Sequence, residues 1–121
     1  MQTDSRSENQ STDPLERSRS LAERAWENRN DDRALCRQHA LEALTLAGDD
    51  PLARAFALRS LAYVDCLESK FVPALEAAQT ALQIASQHGH LLLQRDLLNT
   101  FGAIHYRLGE LDSALDLLHK C

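Results

Sequence analysis

The sequence predicts an all-α fold of repeated helical hairpins. Three observations carry that expectation: an internal spacing of 40 residues, two Asp-Pro-Leu helix starts, and apolar residues that step by three and four between glycine-marked turns. Ala34, Ala74 and Ala114 stand 40 apart, and Leu21, Leu61 and Phe101 keep the same register, as do Ala22, Ala62 and Gly102 and the trio Leu35, Leu75 and Leu115. A spacing this long marks one supersecondary unit copied along the chain.

Residues 1–12 are polar and charged without apolar periodicity, so they are expected to form a disordered leader that cannot offset the entropy of ordering. Structure is expected from Asp13. Asp13-Pro14-Leu15-Glu16 supplies a capping acceptor, a proline whose missing N–H costs nothing in a first turn, and an acid to meet the helix dipole. Asp50-Pro51-Leu52 repeats the signal after Gly48 ends the preceding helix, and Gly89 and Gly109 punctuate the later segments. The expected helices are 14–29, 32–47, 51–68, 71–87, 91–108 and 111 onward. They form a repeat domain over 13–121 with units of about 14–50, 51–89 and 90–121, the last truncated. Ala74, Leu75, Ala78, Ala81, Leu82 and Ala85 form an apolar stripe that neighbouring helices must cover.

Composition excludes several classes. The apolar share is 44%, aromatics are scarce, and the formal net charge is -5, so no basic face for duplex nucleic acid is present. No apolar run reaches the roughly 20 residues of a membrane-spanning helix, and the N-terminus has no apolar signal core, which points to the cytoplasm. Lys70 and Lys120 are the only lysines beside many arginines, a bias expected of a GC-rich, bacterial coding sequence. Cys36, Cys66 and Cys121 have neither disulfide nor metal spacing and read as small apolar fillers or surface thiols.

The third unit, with Leu98, Phe101-Gly102, His105-Tyr106, Leu108-Gly109-Glu110-Leu111-Asp112 and Ala114, resembles the tetratricopeptide repeat. The second unit repeats the pattern as Leu58, Leu61-Ala62, Phe71, Ala74, Ala78 and Ala81. The first is degenerate, with Ser18 and Asp31 at apolar positions, but keeps Leu21-Ala22, Ala34-Leu35 and Leu41. The resemblance implies a right-handed α-solenoid of antiparallel hairpins, with small residues at Ala62, Gly102, Ala74 and Ala114 letting helix axes approach closely. The family's commonest unit has 34 residues, and arrays near 40 look like those of bacterial regulators and sensors.

In that family the first helices of successive hairpins line a concave groove. The resemblance places Glu16, Arg19, Glu23 and Trp26, then Phe56, Arg59, Tyr63 and Cys66, then Asp96, Asn99 and Tyr106 on it. Trp, Tyr and Arg anchor interfaces well, although Trp26 and Tyr106 could equally cover the ends of a small core. The expected activity is non-catalytic: a protein-protein interaction module that binds a peptide or helix in the groove, with no cofactor, metal, nucleic acid or membrane. The alternative is the sensory portion of a larger bacterial signalling protein, such as a diguanylate cyclase or transcriptional regulator. Pairing as a homodimer, or addition of further repeats, through the C-terminal hairpin is expected because Leu115, Leu117 and Leu118 otherwise lack a cover.

Features suggestive of chemistry are few. His88-Gly89-His90 reads as a polar turn, since a metal site needs three or four ligands. His39 and His119 fall at outward positions, and His105 reads as a hydrogen-bonded core or groove residue. Cys66 and His105 make the one nucleophile-base pair to consider, without a third orienting group.

Overall fold

The computed structural model describes the backbone of residues 13–120 and the side chains of 13–112. The expected leader and Cys121 lie outside the described residues. Five helices and no strand occur among them: α1 (Pro14–Glu27), α2 (Arg33–Ala47), α3 (Pro51–Leu67), α4 (Phe71–Gln87) and α5 (Leu91–Lys120).

The starts follow the sequence signals. Asp13 accepts a hydrogen bond from the Leu15 N–H, Asp32 from Leu35 and Asp50 from Ala53, at 3.0–3.1 Å, each satisfying a first-turn donor that the helix leaves orphaned. α5 is capped by a histidine, the Leu93 N–H donating to Nδ1 of His90 at 3.2 Å. Gly48 and Gly89 take φ of 57° and 64°, the left-handed region that an L side chain disfavours. Between α3 and α4 the same reversal is made by Ser69 at φ 62°.

Each helix packs on its successor, and α3 packs on α1 behind it and α5 ahead of it. Among the described elements no Cα of α1 or α2 comes within 8 Å of α4 or α5, so the helices stand in file around α3. The buried stripes are rows of alanine. Ala40, Ala43 and Ala47 on α2 and Ala74, Ala78, Ala81 and Ala85 on α4 are all at most 2% exposed, which allows short interaxial distances. Leu75 and Leu82 flank the α4 stripe half-buried against the same clusters. Two clusters result, one from α1 through α5 and a smaller one of Cys66, Ala74 and Ile104 with Phe71, Leu75 and Leu108 against it.

The 40-residue register holds between the second and third units. Ala53 and Leu93, Ala57 and Leu97, Ser60 and Thr100, and Val64 and Ile104 are buried pairs 40 apart. It fails for the first. Ala34 and Leu41 are exposed, whereas Cys36, Ala40, Ala43 and Ala47 are the buried counterparts, 38 places earlier, of Ala74, Ala78, Ala81 and Ala85. The cause is the turn: α1 ends at Glu27, 40 places before the end of α3 at Leu67, but the turn that follows it, 28–32, is two residues longer than 68–70. α1 therefore keeps its faces, and the shift of two rotates α2 by about 200° and carries Ala34 to solvent.

The expected turn at Gly109 is absent, and α5 runs unbroken from Leu91 to Lys120, 30 residues. Positive φ marks Gly48, Ser69 and Gly89 but not Gly109, and a helix-interior glycine costs only about 1 kcal/mol. The last hairpin is therefore replaced by one long helix. The close packing expected at Gly102 is also absent: a Cβ there would meet no atom within 4 Å.

Candidate functional site

α1, α3 and α5 converge on a cavity of about 130 Å³, lined by Trp26, Arg29, Tyr63, Asp96, Asn99 and Thr100. Trp26 meets Tyr63 edge to face, with ring centroids 5.6 Å apart and planes at 73°. The Tyr63 hydroxyl donates to Oδ1 of Asn30 at 2.7 Å, which fixes its ring to the α1–α2 turn.

Beneath these rings lies Arg59, 5% exposed. Its guanidinium stands 4.4 Å from the Trp26 ring centroid and 5.3 Å from that of Phe56, donates to Asp96 at 3.0 Å and lies 3.6 Å from Glu23. Burial pulls its pKa down, Asp96 and Glu23 oppose this, and Arg29 adds to it. Nε and Nη2 of Arg59 have no hydrogen-bond partner among the described residues. Asp96 also accepts from Arg95 at 3.1 Å, which orients the carboxylate.

Arg29 covers the Trp26 ring at 3.9 Å and reaches Tyr63 at 5.5 Å, while its Nη1 donates to the Trp26 carbonyl at 2.7 Å. Its Nε is buried without a hydrogen-bond partner, and among the described residues no carboxylate lies within 4.0 Å of it. A cation on an aromatic wall beside the exposed Asn99 amide suits an extended segment that offers an apolar group and an acceptor oxygen.

The structure brings together Trp26, Tyr63, Asp96 and Asn99 from the expected groove set. Arg59 and Glu23 support this group from below and beside it. Phe56 is buried under the guanidinium of the exposed Arg19, 4.1 Å from its centroid, with His90 edge-on at 5.1 Å. Glu16 is exposed near the start of α1, nearly three turns before Trp26, and does not line the cavity. Tyr106 is 69% exposed, about two turns farther along α5. Cys66 is not a groove residue, being 3% exposed among Ala74 and Ile104, because the α3 face it occupies meets α4 and α5. Sequence reading passed over Arg29, Asn30 and Thr100. Thr100 follows Asp96 by four, the spacing that puts helix residues on one face, so its signal was present, whereas Arg29 and Asn30 lie in the turn after α1 and carry no such periodic signal.

The remaining polar groups are tied into the scaffold. Arg37 on α2 donates to Asp65 of α3 and to Glu68 just beyond its end, at 2.8 and 2.6 Å, and Arg107 donates to the Cys66 and Leu67 carbonyls at the end of α3. Burial pushes the Cys36 and Cys66 thiols up, against Ser60 and nearby arginines for the first and Arg107 for the second, which disfavours the nucleophilic thiolate. His105 is exposed and stacks on Phe101 at 6.3 Å rather than sitting in the core. His39 is half-buried, with Nδ1 enclosed, where an outward side chain was expected. His88 lies 3.0 Å from the Ile84 carbonyl and His90 caps α5, so both serve the helix ends around Gly89.

Among the described residues no group of three or more His, Cys, Asp and Glu is placed to hold a metal, and no helix is long and apolar enough to cross a membrane. No family model matches the chain, and no significant match is found among curated proteins or solved structures.

Proposed function

We propose that this chain is a non-catalytic, tetratricopeptide-like solenoid module that holds a peptide or helix of a protein partner along the face formed by α1, α3 and α5. The observation that carries this reading is the cavity itself: three successive first helices each contribute to one aromatic and polar cradle. The neighbour-to-neighbour packing supports the solenoid reading, since among the described elements the first hairpin meets α3 and has no Cα within 8 Å of α4 or α5. The Arg29 guanidinium, with no carboxylate within 4.0 Å among the described residues, favours an acidic or carboxyl-bearing segment, and Trp26 and Tyr63 favour an apolar side chain beside it.

Trp26 is the only tryptophan and lines the cavity, so its emission reports occupancy directly. Peptides selected by display on the purified chain should shift that emission saturably. The double variant Tyr63→Ala, Asn99→Ala should bind them at least about tenfold more weakly, a loss of ~1.4 kcal/mol, at unchanged helicity. Equal binding by the double variant, or selected peptides that leave Trp26 emission unmoved, would remove the groove from consideration.

A further inference from the structure

α3 and α5 are equivalent helices, 40 residues apart, yet they are covered differently. Leu58, Leu61, Ala62 and Asp65 of α3 are all at most 9% exposed. Their counterparts on α5 are not: Leu98 is 56% exposed, Phe101 half-buried, His105 exposed, and Gly102 faces open space. Both helices have a preceding hairpin against them, α1 and α2 for α3, α3 and α4 for α5. Among the described elements no following helix lies against α5 in the role that α4 plays for α3.

The sequence says which segment has that role. Phe71, Ala74, Leu75 and Ala78 open α4, and Leu111, Ala114, Leu115 and Leu118 stand 40 places later. In the second unit Ser69 reverses the chain, so this segment folds back on its own hairpin. In the third no reversal occurs, and α5 carries residues 111–120 straight past Gly109. At 1.5 Å per residue, ten residues extend the helix by about 15 Å away from the face they match. An open cleft of about 490 Å³ between Phe71 and Leu111 marks the place where the missing turn would lie.

We propose that a second copy of this chain covers that face: residues 111–120 of each α5 lie antiparallel on Leu98, Phe101, Gly102 and His105 of the other, with the two-fold axis near Gly109. The exchange reproduces between chains the contact that α3 and α4 make within one, and a reciprocal two-fold contact closes on itself instead of growing into a filament. Charge agrees with this arrangement. The part of the segment nearest the two-fold axis carries Asp112 and Asp116 and meets His105 and Arg107, while its far end, with His119 and Lys120, lies toward Asp96 and Arg95. The small residue at Gly102 admits a close helix approach, as Ala62 does in the covered hairpin.

The test uses the full 121-residue chain and sedimentation equilibrium, with Gly102→Glu as the probing variant. Because a Cβ at Gly102 meets nothing within 4 Å in one chain and the position is exposed, this substitution is directed at the shared face and not at the protomer's own core. The expected result is a dimer for the parent chain and association weakened at least about tenfold in Kd for the variant, with circular dichroism unchanged and the melting temperature of the monomer not lowered at matched low concentration. A second measurement separates exchange from folding back: spin labels at positions 91 and 120 of one chain, diluted into unlabelled chain, should lie about 40 Å apart along the continuous helix, whereas a segment folded back on its own chain would bring them to about 15 Å. A parent chain that stays monomeric, a dimer indifferent to Gly102→Glu, or the short separation within a single diluted chain would each overturn the proposal.

Discussion

Arg59 shows how a residue chosen for a binding surface can instead hold that surface up. Its side chain is pinned against Trp26 and Phe56 with Asp96 as its hydrogen-bonded counter-ion, and only 7% of it reaches solvent. Removing the counter-ion leaves a buried cation uncompensated, so Asp96→Asn should cost about 3 kcal/mol in chemical denaturation and should also perturb Trp26 fluorescence in the unliganded protein. A different residue-scale effect belongs to Ser69, whose φ of 62° strains any side chain. Ser69→Gly should raise stability by about 1 kcal/mol, read from the denaturation midpoint, because glycine enters that region without a Cβ clash.

Between elements, Arg37 is the polar clasp from α2 to α3, bonded to Asp65 and Glu68. The hydrogen bond from Arg37 holds the Glu68 carboxyl below its ordinary value of 4.5, with a smaller contribution from Lys70. A carboxyl depressed in the folded state contributes stability above its unfolded pKa and loses it as pH falls through the folded one. Acid titration of stability should therefore fall from about pH 4.5 downward, and Arg37→Met should flatten that limb. The helix starts obey local rules more simply. Asp50→Ala removes the acceptor of the Ala53 N–H and should cost about 1 kcal/mol, seen as a lower melting temperature with unchanged helical content at low temperature.

Across the whole molecule, the alanine rows decide how closely the file of helices packs. Ala78 is fully buried in the α4 stripe, and Ala78→Leu should cost roughly 1 to 3 kcal/mol by overpacking. Gly102→Leu carries its added bulk into open space and relieves the cost of a helix-interior glycine, so it should raise the isolated protomer's melting temperature by a few degrees, a contrast that calorimetry can read directly. Much of this plan was legible in the chain. Asp13-Pro14, Asp50-Pro51, Gly48 and Gly89 sit where the helices begin and end, and the α4 stripe is buried as its spacing implied. Trp26, Tyr63 and Asn99 meet in one cradle as expected of residues on successive first helices. Arg29 and Asn30 joined them unseen because the α1–α2 turn, whose path local pattern does not encode, brings them back over the rings.

Sequence by itself determined the helices and their caps, because hydrogen bonds to first-turn donors and the conformational freedom of glycine act over three or four residues. Tertiary packing decided the rest: that α2 is turned to bury Cys36 and expose Ala34, that Arg59 lies under the rings while Arg29 lies over them, and that α5 passes through Gly109 without turning. Each of these depends on which neighbouring surface covers a helix face, and a repeat spacing records that a face exists without recording what lies against it.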